Sequence, residues 1–161
     1  MAHTVADWLN EYGTCHRHPL NKRLHWICVP LIALSVVGFL WSVPVPAAAA
    51  AISPFVNWAA LFLLAVIVYY LTLSTSLAIG MAVFSAILMV VTYALSQLSV
   101  PLWLTSLIIF VLAWIGQFVG HHYEGARPAF FKDLQFLLIG PLWLMAHLYA
   151  RLGWADATGK A

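Results

Sequence analysis

The stretch YGTCHRHPLNKRLH, residues 12 to 25, packs three histidines, an asparagine and three basic side chains directly before a long apolar run. A second cluster, GQFVGHHYEG, brings Gln117, His121, His122 and Glu124 to the end of the longest uncharged part of the chain. Imidazole and carboxylate are metal ligands, so the spacing within each cluster decides whether they can act together. If a helix runs on to Glu124, then Gln117, His121 and Glu124 fall at i, i+4 and i+7 on one stripe. In the first cluster Pro19 suits the first turn of a helix and His18 its N-cap region, which puts Asn21 and His25 on one face. His16 lies upstream and can fold back toward that face. A site of His16, His25 and His121, completed by Glu124, His122 or His18, offers the ligand set that suits iron or zinc. Imidazoles alone do not choose between those metals.

Composition dictates what must position them. The 161 residues are 64% hydrophobic and 7% charged, against roughly 25% charged in ordinary soluble domains. Residues 24 to 123 contain no Asp, Glu, Lys or Arg, and a spanning helix needs about 20 apolar residues. The expected fold is therefore an all-α membrane bundle of four to five helices in one domain, residues 1–154, with a disordered tail at 155–161. Proline, glycine and small polar clusters set the boundaries. They predict spans over about 24–43, 55–73, 77–98 and 101–119, with a short link at the alanine run 47–51 and a tight turn at 74–76. The apolar segment 134–152 contains Gly140 and Pro141, so it is kinked, re-entrant or a fifth span.

Four crossings return the chain to the face where it started. Arg17, Lys22 and Arg23 before the first span, and Arg127 and Lys132 after the fourth, then lie on one side, which the positive-inside rule makes cytoplasmic. The N-terminus and the metal site are expected on that face, with span one acting as an uncleaved signal anchor. Six of the seven histidines, His3, His16, His18, His25, His121 and His122, gather there, leaving His147 apart in the last segment. Cys15 and Cys28 on or near a reducing face predict no disulfide framework.

Each candidate has a plainer reading. His3 and His147 serve equally as polar tips at the headgroup level, and His18 and His122 as solvated neighbours of a ligand. His16, His25 and His121 are harder to dismiss, because polar groups at membrane depth are costly and usually functional. Arg17, Lys22, Arg23 and Lys132 read as topology determinants contacting lipid headgroups. The tryptophans fit an interfacial belt, and Gly116 with Gly120 permits close helix packing. P-loop, dinucleotide, GxSxG and CxxC motifs are absent, and no basic aromatic surface suits nucleic acid. The uncharged spans argue against an ion or substrate transporter.

YGTCHRHPLNKRLHWICVP, with Asn21 and His25 spaced after His16 and followed by Pro30, and WIGQFVGHHYEGARPAFFKDLQFLLIGPLW resemble the two signature segments of the Mpo1-like family. These integral-membrane 2-hydroxy fatty acid dioxygenases were formerly a domain of unknown function, and this chain is similar to their bacterial branch. The resemblance implies an Fe(II)-dependent dioxygenase that shortens long-chain 2-hydroxy fatty acids by one carbon through α-oxidation, with O2 as co-substrate. By position it carries over His16, Asn21 and His25 from the first motif, and Gln117, Gly120, His121, Glu124 and Pro128 from the second. Asn21, Gln117 and Arg127 become candidates for catalytic support. The substrate's carboxylate and 2-hydroxyl would chelate the ion, Arg127 or Arg23 would pair with the carboxylate, and the acyl tail would lie between spans. Partners are then the fatty acid and membrane lipid, not nucleic acid, and the oligomeric state stays open. Two other classes compete. One is a bis-histidine haem protein carrying electrons, and the other is a non-catalytic membrane protein with a structural metal. A di-iron desaturase needs about eight histidines in HxxxH and HxxHH boxes, which the seven here do not form.

Overall fold

In the computed structural model, residues 4–125, 127 and 135–154 are described. His3, Pro128, Lys132 and the tail 155–161 lie outside them. The described chain is helical: α1 Val5–Gly13, α2 Pro19–Trp41, α3 Ala47–Ala50, α4 Trp58–Leu73, α5 Thr75–Ser96, α6 Leu102–Glu124 and α7 Phe136–Arg151.

α2, α5 and α6 are long and apolar enough to cross a membrane, and α4 and α7 are shorter apolar helices. At 1.5 Å per residue, the 16 residues of α4 reach about 24 Å. Outward faces carry Leu61, Leu64, Val68, Val83, Ile87, Ile108, Leu112 and Ile115, all exposed. An apolar belt of that extent has no place in water, and the chain is a membrane protein. α2, α4, α5 and α6 overlap the segments expected as spans, with α2 beginning and α6 ending further toward the polar clusters. α2 starts at Pro19, with His18 as N-cap accepting from Leu20 N at 3.2 Å. α6 continues to Glu124 and stops at Gly125, whose φ of 70° suits a residue without a Cβ. Ser74 closes α4 and caps α5, which makes the turn at 74–76 as tight as its sequence suggests.

α2 and α6 form the most extensive helix pair. Small residues let them approach: a Cβ on Gly120 would lie 2.5 Å from Asn21 Oδ1, and one on Gly116 would lie 2.6 Å from Cys28 Sγ. Both cysteines are free.

α1 has no counterpart among the expected spans. A capping box of Thr4 with Asp7 starts it, and Val5, Leu9 and Tyr12 face inward. α7 packs on α1, α5 and α2. Near its start, Leu138 O accepts from Tyr70 Oη at 2.7 Å. Near its end, Tyr149 Oη donates to Ser76 O at 3.2 Å. Tyr70 and Ser76 flank the same α4–α5 turn, so α7 lies across one end of the bundle. Together α1 and α7 roof the end where the two polar clusters meet.

Candidate metal centre

Three hydrogen bonds join the N-terminus of α2 to the C-terminus of α6. Glu124 accepts from Arg17 N and His18 N at 2.8 Å each, and from Asn21 Nδ2 at 3.1 Å. The carboxylate meets backbone N–H groups that a helix start leaves without partners, where negative charge is favoured. Asn21, fully buried, also donates to Cys15 O at 3.0 Å. Glu124 is thus engaged as a clamp between the two clusters.

Behind the clamp, His16, His25 and His121 are all buried, and one ring nitrogen from each lies within 4.8 Å of the others. Ring centroids are 4.1 Å apart for His16 and His25, 5.0 Å for His16 and His121, and 5.9 Å for His25 and His121. Each imidazole keeps one buried nitrogen without a protein partner: His16 Nε2, His25 Nδ1 and His121 Nδ1. Buried polar atoms are rarely left so, and three in one cluster ask for a common occupant. Two nitrogens on one ion stand at most about 4.2 Å apart, given bond lengths near 2.1 Å. The cluster would close on an ion with a side-chain adjustment of roughly half an ångström, so the residues fit a divalent metal with imidazole ligands.

Local partners orient two of the rings. His16 Nδ1 lies 2.7 Å from Tyr12 O. A carbonyl only accepts, so Nδ1 carries the proton and Nε2 keeps its lone pair, the arrangement common in metal-ligating histidines. Tyr12 Oη lies 2.5 Å from His25 Nε2, and the Tyr12 ring stacks on His16 at 4.5 Å. Burial pushes the Tyr12 phenol well above its ordinary value, so it stays protonated. Burial also pushes the His16 imidazole below its ordinary value. Lys22 and His147 act in the same direction, against the bond to Tyr12 O and the charge of Glu124. His16 therefore favours the neutral form, the one in which an imidazole can ligate a metal.

The cluster separates two spaces. On one side a cavity of about 460 Å³ begins at Tyr12, His25, Gln117 and His121 and runs along α2 past Val29 and Ala33 to Val37. From residue 25 to residue 37 that is about 18 Å at 1.5 Å per residue. Except at the histidine end its walls are almost entirely apolar. On the other side a more polar cleft of about 540 Å³ is bounded by His16, Arg17, Lys22, Trp143 and His147.

Of the residues singled out in the sequence, the structure brings together His16, Asn21, His25, Gln117, His121 and Glu124. His18 is exposed, its Nδ1 bound to its own helix start. His122 is exposed on α6, and Arg127 is exposed and lines neither space. His147 was expected apart from the others, yet α7 turns back across the bundle end and brings it to the cleft beside His16. Sequence reasoning missed Tyr12 and Trp143. The Thr4-to-Asp7 capping box could have revealed α1, and with it a helix presenting Tyr12.

No curated protein and no solved structure matches the chain. The family model described as 2-hydroxy-palmitic acid dioxygenase Mpo1-like matches residues 2–152. That match takes in both polar clusters and every helix of the bundle, and this chain belongs to the Mpo1-like family.

Proposed function

We propose that this chain is an Fe(II)-dependent dioxygenase of the bacterial inner membrane that shortens long-chain 2-hydroxy fatty acids by one carbon with O2. The observation that carries the reading is the histidine cluster, with a free nitrogen on each ring, at the mouth of an apolar cavity sized for a small ligand. His16 Nε2, His25 Nδ1 and His121 Nδ1 would hold the ion. Bound there, iron would supply Lewis acidity and the electron transfer to O2 that protein side chains lack.

The chain's own residues do the rest. For His25 Nδ1 to ligate, Nε2 must carry the proton and donate to Tyr12 Oη, a bond that the Tyr12 hydroxyl can accept. Asn21 and Glu124 hold the two helix ends in register. Gln117, buried beside His25 and His121 on the cavity wall, is placed to hydrogen-bond the polar head of a ligand. The apolar walls take the acyl tail and exclude water. The basic residues at the site's end support a cytoplasmic orientation.

The haem reading requires a flat slot between two facing imidazoles. Here a third imidazole stands at the same point. A purely structural metal leaves the cavity without a use. Metal analysis of the purified protein beside His16→Ala, His25→Ala and His121→Ala, with 2-hydroxypalmitate turnover in the same samples, tests the proposal. Each substitution is expected to lose the metal and the turnover together. Full metal and unchanged turnover in all three overturns it.

A further inference from the structure

The apolar cavity accounts for a tail, but the cleft on the opposite side of the cluster has a different character. Asn10, Arg17, Lys22 and His147 line it, with Trp143 and His16, and its described lining contains no acidic residue. His16 belongs to the cleft, while His25 and His121 belong to the cavity. A metal held by all three would therefore face both. The helix start nearby offers an anion nothing, because Glu124 already takes the Arg17 and His18 N–H groups. What remains for an anion is the side-chain charge of Arg17 and Lys22.

We infer that the cleft is a carboxylate subsite: Arg17 and Lys22 receive the carboxylate of the 2-hydroxy acid while its tail runs into the cavity beyond the histidines. The inference rests on the proposed substrate class and reassigns the head group from Arg127, which lies outside both spaces. The ligand passes from a wet, cationic cleft to a dry, apolar cavity, so its polarity fixes its direction. That orientation would bring the carbon next to the carboxylate to the histidine cluster.

Binding separates this inference from the reading it rests on. The probes are 2-hydroxypalmitic acid and hexadecane-1,2-diol, which keeps the 2-hydroxyl and lacks the carboxylate. Dissociation constants are measured on the metal-loaded full chain, with metal content checked in each sample. Wild type is expected to bind the acid more tightly than the diol. Arg17→Gln/Lys22→Gln is expected to weaken the acid by about tenfold or more, the scale of losing a hydrogen bond to a charged group. Diol binding should not change, and Arg127→Gln should keep the wild-type preference. If the double substitution lowers metal content, the single variants carry the same comparison. A double variant that still prefers the acid as wild type does, or an Arg127→Gln variant that alone loses the preference, overturns the subsite and leaves the substrate reading standing. Wild type that binds neither probe overturns the substrate reading and this inference with it.

Discussion

The two ends of the α2–α6 pair are built from the same helices by opposite rules. At the far end, the two serines of α2 and its C-cap are satisfied by their own helix. Ser35 Oγ donates to Ile32 O at 2.7 Å and Ser42 Oγ to Gly38 O at 2.8 Å. Around them Val37, Ala59, Leu63 and Leu88 form a small apolar cluster. At the near end, Asn21 and Glu124 bond across more than a hundred residues of sequence, and three imidazole nitrogens are left without partners. Self-satisfied hydroxyls suit a helix end in an apolar surrounding, where every backbone and side-chain donor must find an acceptor. Unsatisfied buried nitrogens are destabilising by about 1–3 kcal/mol each, so a cluster of them persists where a ligand completes it. The far-end serines cost the fold little, whereas the near end carries buried polar atoms that a ligand would complete.

The sharpest way to break this contrast is to add one methyl at each end. Gly120→Ala places a Cβ 2.5 Å from Asn21 Oδ1 and 3.4 Å from its Cα, displacing the clamp that sets the histidines. Metal analysis should show most of the bound metal lost. Gly38→Ala meets Ser106, and should lower thermal stability by about 1–3 kcal/mol, the scale of overpacking, while keeping its metal. Equal metal loss in both would erase the distinction between the ends.

Tyr12→Phe removes the partner of His25 Nε2 without opening a large void. Metal affinity should fall about 10- to 100-fold, as for other residues that orient ligating histidines, with little change in thermal stability of the metal-free protein. An unchanged affinity would make Tyr12 a packing residue only.

Glu124→Gln asks whether the carboxylate clamps or ligates. As a clamp, its loss should lower stability by about 1–3 kcal/mol through the bonds to Arg17 N and His18 N, and metal should fall less than in His16→Ala. Metal loss equal to that of His16→Ala would make Glu124 a ligand.

The smallest effect is on pH dependence. His16 has its folded pKa held below the ordinary value of about 6.5, mainly by burial. Unfolded chains therefore bind more protons than folded ones as pH falls through that value. Stability of the metal-free protein should be full above it and decline below it. Thermal melts from pH 7.5 downward should show this slope in wild type, and a shallower one in His16→Gln. An identical slope in both would mean that His16 is not held neutral by the fold.

Much of the architecture was legible in the residues. Hydropathy and breakers located the helices, because a membrane span must satisfy its own backbone over a fixed thickness. The expectation of four crossings put the two clusters on one face, where the structure does bring His16, His25 and His121 together, and 3.6-residue periodicity put Gln117 and His121 on one stripe. Other features depended on contacts between segments far apart. The role of Glu124 became visible only when α6 ended against the start of α2. The place of His147 followed from α7 lying across the bundle end rather than along its length.

What the sequence by itself determined is a membrane helix bundle with His16, His25 and His121 gathered at one end, since composition and periodicity act locally along each helix. Only the tertiary structure decided which nitrogen of each ring is left free, that Tyr12 from an unanticipated helix orients two of them, and that the cluster stands between a cationic cleft and an apolar cavity. Hydrogen-bond partners and cavities arise from how helices meet, and that is set by packing at residues such as Gly116 and Gly120, not by any one segment's pattern.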